Sequence, residues 1–184
     1  IPEEGIDLVT SGMPCETFST AGNTSRSFYD DRQFLFREGI RIAQIVKAKM
    51  ILFENVPAIT TKTVEKKSKK LIVDVLKQEL VAAGYGNYIE VTLSATQFGV
   101  PQKRNRYFIL ATKYSDLKLE APKGNTEQPI SVEAAFAGLR NVIPNSGKEA
   151  TTYTGKESEY SLLMKNDKFW KREDMHVEHL TYQM

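Results

Sequence analysis

The chain has 184 residues, 41% of them hydrophobic and 26% charged, and a formal net charge of +2; that is enough for one domain with a proper core and the start of a second. The near-balance of charge permits a nucleic-acid partner but supplies no dedicated basic tail. A single cysteine excludes an intramolecular disulfide and an all-cysteine zinc site, and His176 and His179 lie far from it, so no metal site is expected.

No apolar run nears the roughly 18 residues of a membrane span, and no secretory pattern opens the chain. A protein of the reducing cytoplasm, without membrane contact, is expected. The first residue is Ile1 and a strand follows almost at once, which suggests a piece of a larger polypeptide.

Ile6 to Val9 reads as the end of a buried strand, and Gly12-Met13-Pro14-Cys15-Glu16-Thr17-Phe18-Ser19 as the loop that leaves it. Open α/β sheets bind ligands at that edge. Proline fixes its own φ and biases Met13 toward extended backbone, which aims the Cys15 thiol reproducibly. A buried, inert cysteine is the alternative, and the polar residues from Glu16 to Ser27 argue against it. The polar, glycine-containing stretch from Ala21 to Arg32 is long enough to act as a lid. Arg26 and Arg32 could meet phosphates there, or pair with Asp30 and Asp31.

From Gln33 to Lys49, Leu35, Phe36, Ile40, Ile42, Ala43, Ile45 and Val46 recur at helical spacing. Met50 to Phe53 is an apolar run of strand length followed directly by Glu54-Asn55-Val56-Pro57. A carboxylate at a strand end beside a core is often desolvated and able to hold a proton; capping is the bland use of Glu54. The lysine-rich run Lys62 to Lys70 reads as a solvated face before a helix over 71–80 that Gly84 ends, with a phosphate-binding patch as its other use. Tyr88 to Leu93 alternates as a strand. Arg104 and Arg106 are two apart, so in extended backbone both project to one side, ahead of a buried strand from Tyr107 to Ala111. Two guanidiniums on one face suit an anionic or carbonyl-rich ligand and can lock a neighbouring carboxylate.

Past Thr112 the character changes. Leu117 to Gln128 is loop, Ser131 to Leu139 a short helix capped by Ser131, and Glu159 to Met164 another. Phe169-Trp170-Lys171-Arg172 could flank nucleic acid or form a satellite apolar contact. The expected organisation is a partial catalytic domain over 1–120, then linker and the start of a target-recognition region over 121–184.

A thiolate, a glutamate able to donate or share a proton, and a pair of arginines at one sheet edge are what attack on C6 of cytosine requires. Gly12 to Ser19 resembles the Pro-Cys-Gln-x-Phe-Ser motif of the C5-cytosine DNA methyltransferases. Phe53 to Val56 resembles their Glu-Asn-Val motif and Gln102 to Arg106 their Gln-x-Arg-x-Arg motif. The block from Asp31-Arg32 to Leu35-Phe36 matches as well, and the similarity covers roughly Ile6 to Thr112.

The resemblance implies a Rossmann-like S-adenosylmethionine-dependent methyltransferase sheet with flanking helices, its cofactor-loop part and closing part lying elsewhere. It implies Cys15 as nucleophile on C6, Glu54 on N3 and the exocyclic amine, Arg106 on O2, and Arg104 orienting the cysteine loop. Pro14 and Leu35 would contact S-adenosylmethionine. Ser19, Arg32, Asn55 and Gln102 would serve DNA binding, Asn55 also bracing the Glu54 loop.

The implied partner is double-stranded DNA, whose target base is flipped out. A monomeric bacterial or phage enzyme with a cognate restriction endonuclease, acting at the nucleoid, completes the expectation. A tRNA cytosine methyltransferase of the same fold and a non-catalytic DNA-binding remnant are the alternatives. Glu16 departs from the usual glutamine, and an added carboxylate beside Cys15 would disfavour the thiolate.

Overall fold

A computed structural model describes residues 5–14, 31–124, 128–137 and 156–165. Four runs of alternating side chains build one mixed sheet: β1 (Leu8–Gly12), β2 (Met50–Asn55), β3 (Asn87–Ser94) and β4 (Asn105–Thr112), in the order β1-β2-β4-β3. β1 and β2 are parallel, whereas β4 lies antiparallel to both β2 and β3.

A parallel pair needs a crossover, and here it contains a 3₁₀ turn (Asp31–Phe34) and helix α1 (Phe36–Ile45). α1 lays Phe36, Gly39, Ile40 and Ala43 against the sheet. Gly39 makes that approach possible, because a Cβ there would stand 2.8 Å from Ser11 Oγ and 2.9 Å from Phe53 Cε1. Helix α2 (Ile72–Ala82) buries Ile72, Val73, Val75, Leu76 and Leu80 in the same core. It ends before Gly84, whose φ of 91° suits glycine.

Residues paired in register share a face. Ile51, Phe53 and Asn55 of β2 pair with Ala111, Ile109 and Tyr107 of β4, and all six are buried. The opposite face carries Leu52, Glu54, Arg106, Phe108 and Leu110, half-buried. The α/β sheet with flanking helices is therefore as expected from the sequence.

Two local expectations change. The helix anticipated over 33–49 is a 3₁₀ turn followed by ten residues of α-helix, because Lys47, at φ 53°, turns the chain back toward β2. Ile42 and Ile45, counted toward its apolar stripe, are 45% and 55% exposed. The first strand runs from Leu8 to Gly12 and is half-open rather than buried: among the described residues only β2 pairs with it, so Leu8, Thr10 and Gly12 are exposed.

Beyond Thr112, Ser131 caps the short helix α3 (Val132–Ala135) by accepting from the Ala134 amide at 3.0 Å. The Ser158 hydroxyl before α4 (Glu159–Lys165) donates to the Ala134 carbonyl, tying the two together.

Candidate active site

β1 and β2 run side by side to the same edge, where Gly12 pairs with Glu54. Because β4 runs the other way, its first residues arrive at the edge where β2 ends, and Asn55 pairs with Tyr107. Opposed strand directions thus bring together residues some fifty positions apart. Arg106 Nε meets Glu54 Oε1 at 2.7 Å, with side chains 21% and 39% exposed. Arg106 also donates from Nη1 to the Asn105 carbonyl at 2.9 Å, which fixes the guanidinium plane. Among the described residues the Glu54 carboxylate is ion-paired and partly open to water, rather than enclosed in the apolar surroundings expected from the sequence.

Asn55, 2% exposed, points to the helix side of the same strand end. Its Nδ2 donates to the Met13 carbonyl at 3.4 Å and its Oδ1 accepts from the Val56 amide at 2.8 Å. Met13 is buried, so the chain is held at both side chain and backbone immediately before Pro14 and Cys15. Cys15 and Ser19 themselves, with most of the expected lid, lie outside the described residues.

The loop before β4 is built with equal care. Ser94 and Gln97 form a reciprocal cap on a 3₁₀ turn (Ala95–Phe98), which Gly99 closes at φ 75°. The Ala95 amide donates to the Arg104 carbonyl at 2.9 Å, and the Gln102 amide to the Val100 carbonyl at 2.7 Å. Gln102, Lys103 and Arg104 have exposed side chains at this edge. The expected pairing of Arg104 with Arg106 on one strand face is not formed: pairing with β3 begins at Ser94 and Asn105, leaving Arg104 on the loop.

Pro14 is exposed at the end of β1, and Leu35 is 38% exposed where the 3₁₀ turn meets α1. Both are apolar side chains open to solvent near the edge where β1 and β2 end. Arg32 is half-buried in the same 3₁₀ turn.

The sequence pointed to the Gly12–Met13 stretch and to a strand starting at Tyr107, but not to the contact of Gly12 with Glu54, the anchoring of the Met13 carbonyl or the bond of Tyr107 to Glu90. A Cβ on Gly12 would lie 3.9 Å from Glu54 Oε2, an ordinary van der Waals distance, so Gly12 borders the carboxylate directly. Tyr107, buried beneath Arg106, donates to Glu90, which also meets Lys77 of α2. Burial first, and then the bond to Glu90, raise the Tyr107 phenol far above its ordinary value. Strand alternation next to Arg106 was the signal for Tyr107; only register exposes Gly12.

The family described as C-5 cytosine-specific DNA methylase matches residues 1–183. The chain is 29% identical over 154 residues to Type II methyltransferase M.DdeI of Desulfomicrobium norvegicum, covering 80% of this chain and 36% of that protein. It is 36% identical over 109 residues to Type II methyltransferase M1.HphI of Haemophilus parahaemolyticus, covering 59% and 28%.

A crystal structure described as a prophage-encoded DNA modification methyltransferase of E. coli superposes with a TM-score of 0.51 at 25% identity, over 76% of this chain and 36% of that one. The chain thus spans roughly a third of the length of these relatives. With a family match that runs nearly its whole length, the chain belongs to the C-5 cytosine-specific DNA methylases.

Proposed function

We propose that this chain carries the base-attacking part of an enzyme that methylates C5 of cytosine in duplex DNA, with S-adenosylmethionine as cofactor. The observation that carries the reading is the 2.7 Å pairing of Arg106 with Glu54 at the strand edge from which the Cys15 loop departs. A flipped-out cytosine placed there takes over both partners: a proton taken up with the base is shared between Glu54 and N3, Glu54 accepts from the exocyclic amine, and Arg106 donates to O2. Hydrogen bonding at N3 and O2 draws electron density from C6, so the Cys15 thiolate adds there and the freed electron pair enriches C5. The cofactor, when bound against Pro14 and Leu35, supplies the methyl group. Loss of the C5 proton then expels the thiolate and restores the aromatic ring, so the enzyme ends with its thiolate regenerated.

Asn55 serves by holding the Met13 carbonyl, Arg104 by orienting the cysteine loop, and Ser19, Arg32 and Gln102 by contacting DNA. The catalytic part extends to about residue 120, and 121–184 begins the target-recognition region. The reading places the enzyme in the cytoplasm of a bacterium or phage-infected cell, as a monomer beside a cognate endonuclease.

Trapping on a duplex containing 5-fluorocytosine tests this, with the chain joined to the remaining portion its longer relatives possess. Fluorine at C5 cannot leave as a proton does, so the adduct persists. A covalent DNA adduct that disappears in Cys15→Ser is expected. An adduct that survives that substitution, or one that forms on tRNA and not on duplex DNA, would overturn the assignment.

A further inference from the structure

The run from Lys62 to Lys70 follows the strand that carries Glu54, by way of a 3₁₀ turn (Pro57–Thr60) that packs on β4. Although polar and lysine-rich, it is a closed loop. Thr63 bridges to Leu71, the Val64 amide donates to the Lys70 carbonyl at 2.9 Å, and the Ile72 amide donates to the Lys62 carbonyl at 2.9 Å. Inside it, the Ser68 amide reaches the Glu65 carbonyl and the Ser68 hydroxyl accepts from the Lys70 amide, both at 3.0 Å.

Fully buried Gln33 donates from Nε2 to the Val64 carbonyl at 3.3 Å, fastening the loop to the 3₁₀ turn before α1. That start of α1 lies at the edge holding Glu54, since its far end at Val46 bonds to Ile6, before β1. The ordered loop therefore presents Lys66, Lys67, Lys69 and Lys70, all exposed, beside the candidate site. Lys103 and Arg104 add two further exposed cations at the edge, ahead of β4.

Four of the five residues from Lys66 to Lys70 are lysines, with a single acid, Glu65, immediately before them in the sequence. Self-repulsion at that density is relieved by an array of anions. Flexible ammonium groups on a fixed backbone suit phosphates spaced along a strand rather than base edges. We propose that Lys66, Lys67, Lys69 and Lys70 form a clamp for the phosphate backbone of duplex DNA beside the target cytosine. This rests on reading the edge as the one that meets DNA. The clamp supplies affinity without sequence preference, leaving selection of the site to other residues.

The test is fluorescence anisotropy of a labelled duplex titrated, across a series of salt concentrations, with the same protein used for trapping, this chain joined to the remaining portion its longer relatives possess. Each phosphate neutralised contributes about 0.9 to the slope of log K against log salt. Replacing all four by glutamine (K66Q, K67Q, K69Q, K70Q) is expected to make the slope shallower by about 3.6 and to weaken binding about tenfold or more near 0.1 M salt, equally for unrelated duplexes. The pair K66Q and K67Q should give about half the slope change, with unchanged thermal melting as the check on folding. K47Q with K118Q, at the opposite sheet edge, should leave the slope alone.

An unchanged slope in the fourfold variant overturns the proposal. So does an equal loss in the opposite-edge control, absence of duplex binding by the unsubstituted protein, or a lysine-dependent affinity confined to A-form RNA. Trapping through Cys15 is scored separately: an adduct together with an unchanged slope defeats the clamp alone, and a shallower slope without any adduct defeats the catalytic reading alone.

Discussion

Asn55 uses one buried amide twice, donating to the Met13 carbonyl and accepting from the Val56 amide. Asn55→Ala strips both partners inside the core. Leaving buried polar groups unsatisfied costs about 1–3 kcal/mol, so a lower urea midpoint with an unaltered denaturant slope is the expected result. Tyr107 makes a different prediction. Its folded-state phenol ionises well above the ordinary value of 10.0, so the native state holds a proton that the unfolded chain releases. Stability from this group is complete below about pH 10 and falls as the pH rises beyond it, by at most about 1.4 kcal/mol per pH unit. Urea midpoints collected between about pH 8 and 11 should decline, and Tyr107→Phe should flatten the decline. Tyr85, raised by burial as well, leaves some of it in place. The motif residues Glu54, Asn55 and Arg106 were legible in the sequence because their spacing from apolar runs put them at strand ends. Arg104 was misplaced because the point at which β4 begins is decided by its neighbour β3, not by the residues of the motif itself.

Among the elements, α1 tests how tightly the layer above the sheet is fitted. Gly39 sits mid-helix, where alanine is ordinarily preferred by about 1 kcal/mol. Here the added methyl would press on Ser11 and Phe53, at 2.8 and 2.9 Å, and overpacking of this kind costs about 1–3 kcal/mol. Gly39→Ala should therefore lower the melting temperature despite its better helix propensity; a rise would show that α1 has room to retreat. The strands and the helix α2 were readable from periodicity, since each buries a continuous stripe. The ends of α1 were not, because Lys47 in a left-handed conformation gives no sequence signal of the kind glycine gives. Nor did the apolar content of Leu8, Ile42 and Ile45 reveal that these side chains face outward; exposure at an edge depends on what lies alongside.

For the molecule as a whole, a modest net charge of +2 conceals a polarised distribution. Cations gather on the loops at one sheet edge, while Lys49 and Lys118 near the other are matched by Asp7 and Glu120. Composition alone cannot disclose that asymmetry, since it follows from which loops the topology sends to which end. The strand order has one further implication. β4 is the last of the four to leave the ribosome, yet it occupies the position between β2 and β3. Among the described residues, a nascent polypeptide emerging only up to Ser94 has neither β4, the neighbour of β3, nor Arg106, the ion-pair partner of Glu54. The chemistry of this edge therefore comes into being late and all at once, when the final ribbon slots between two strands already made.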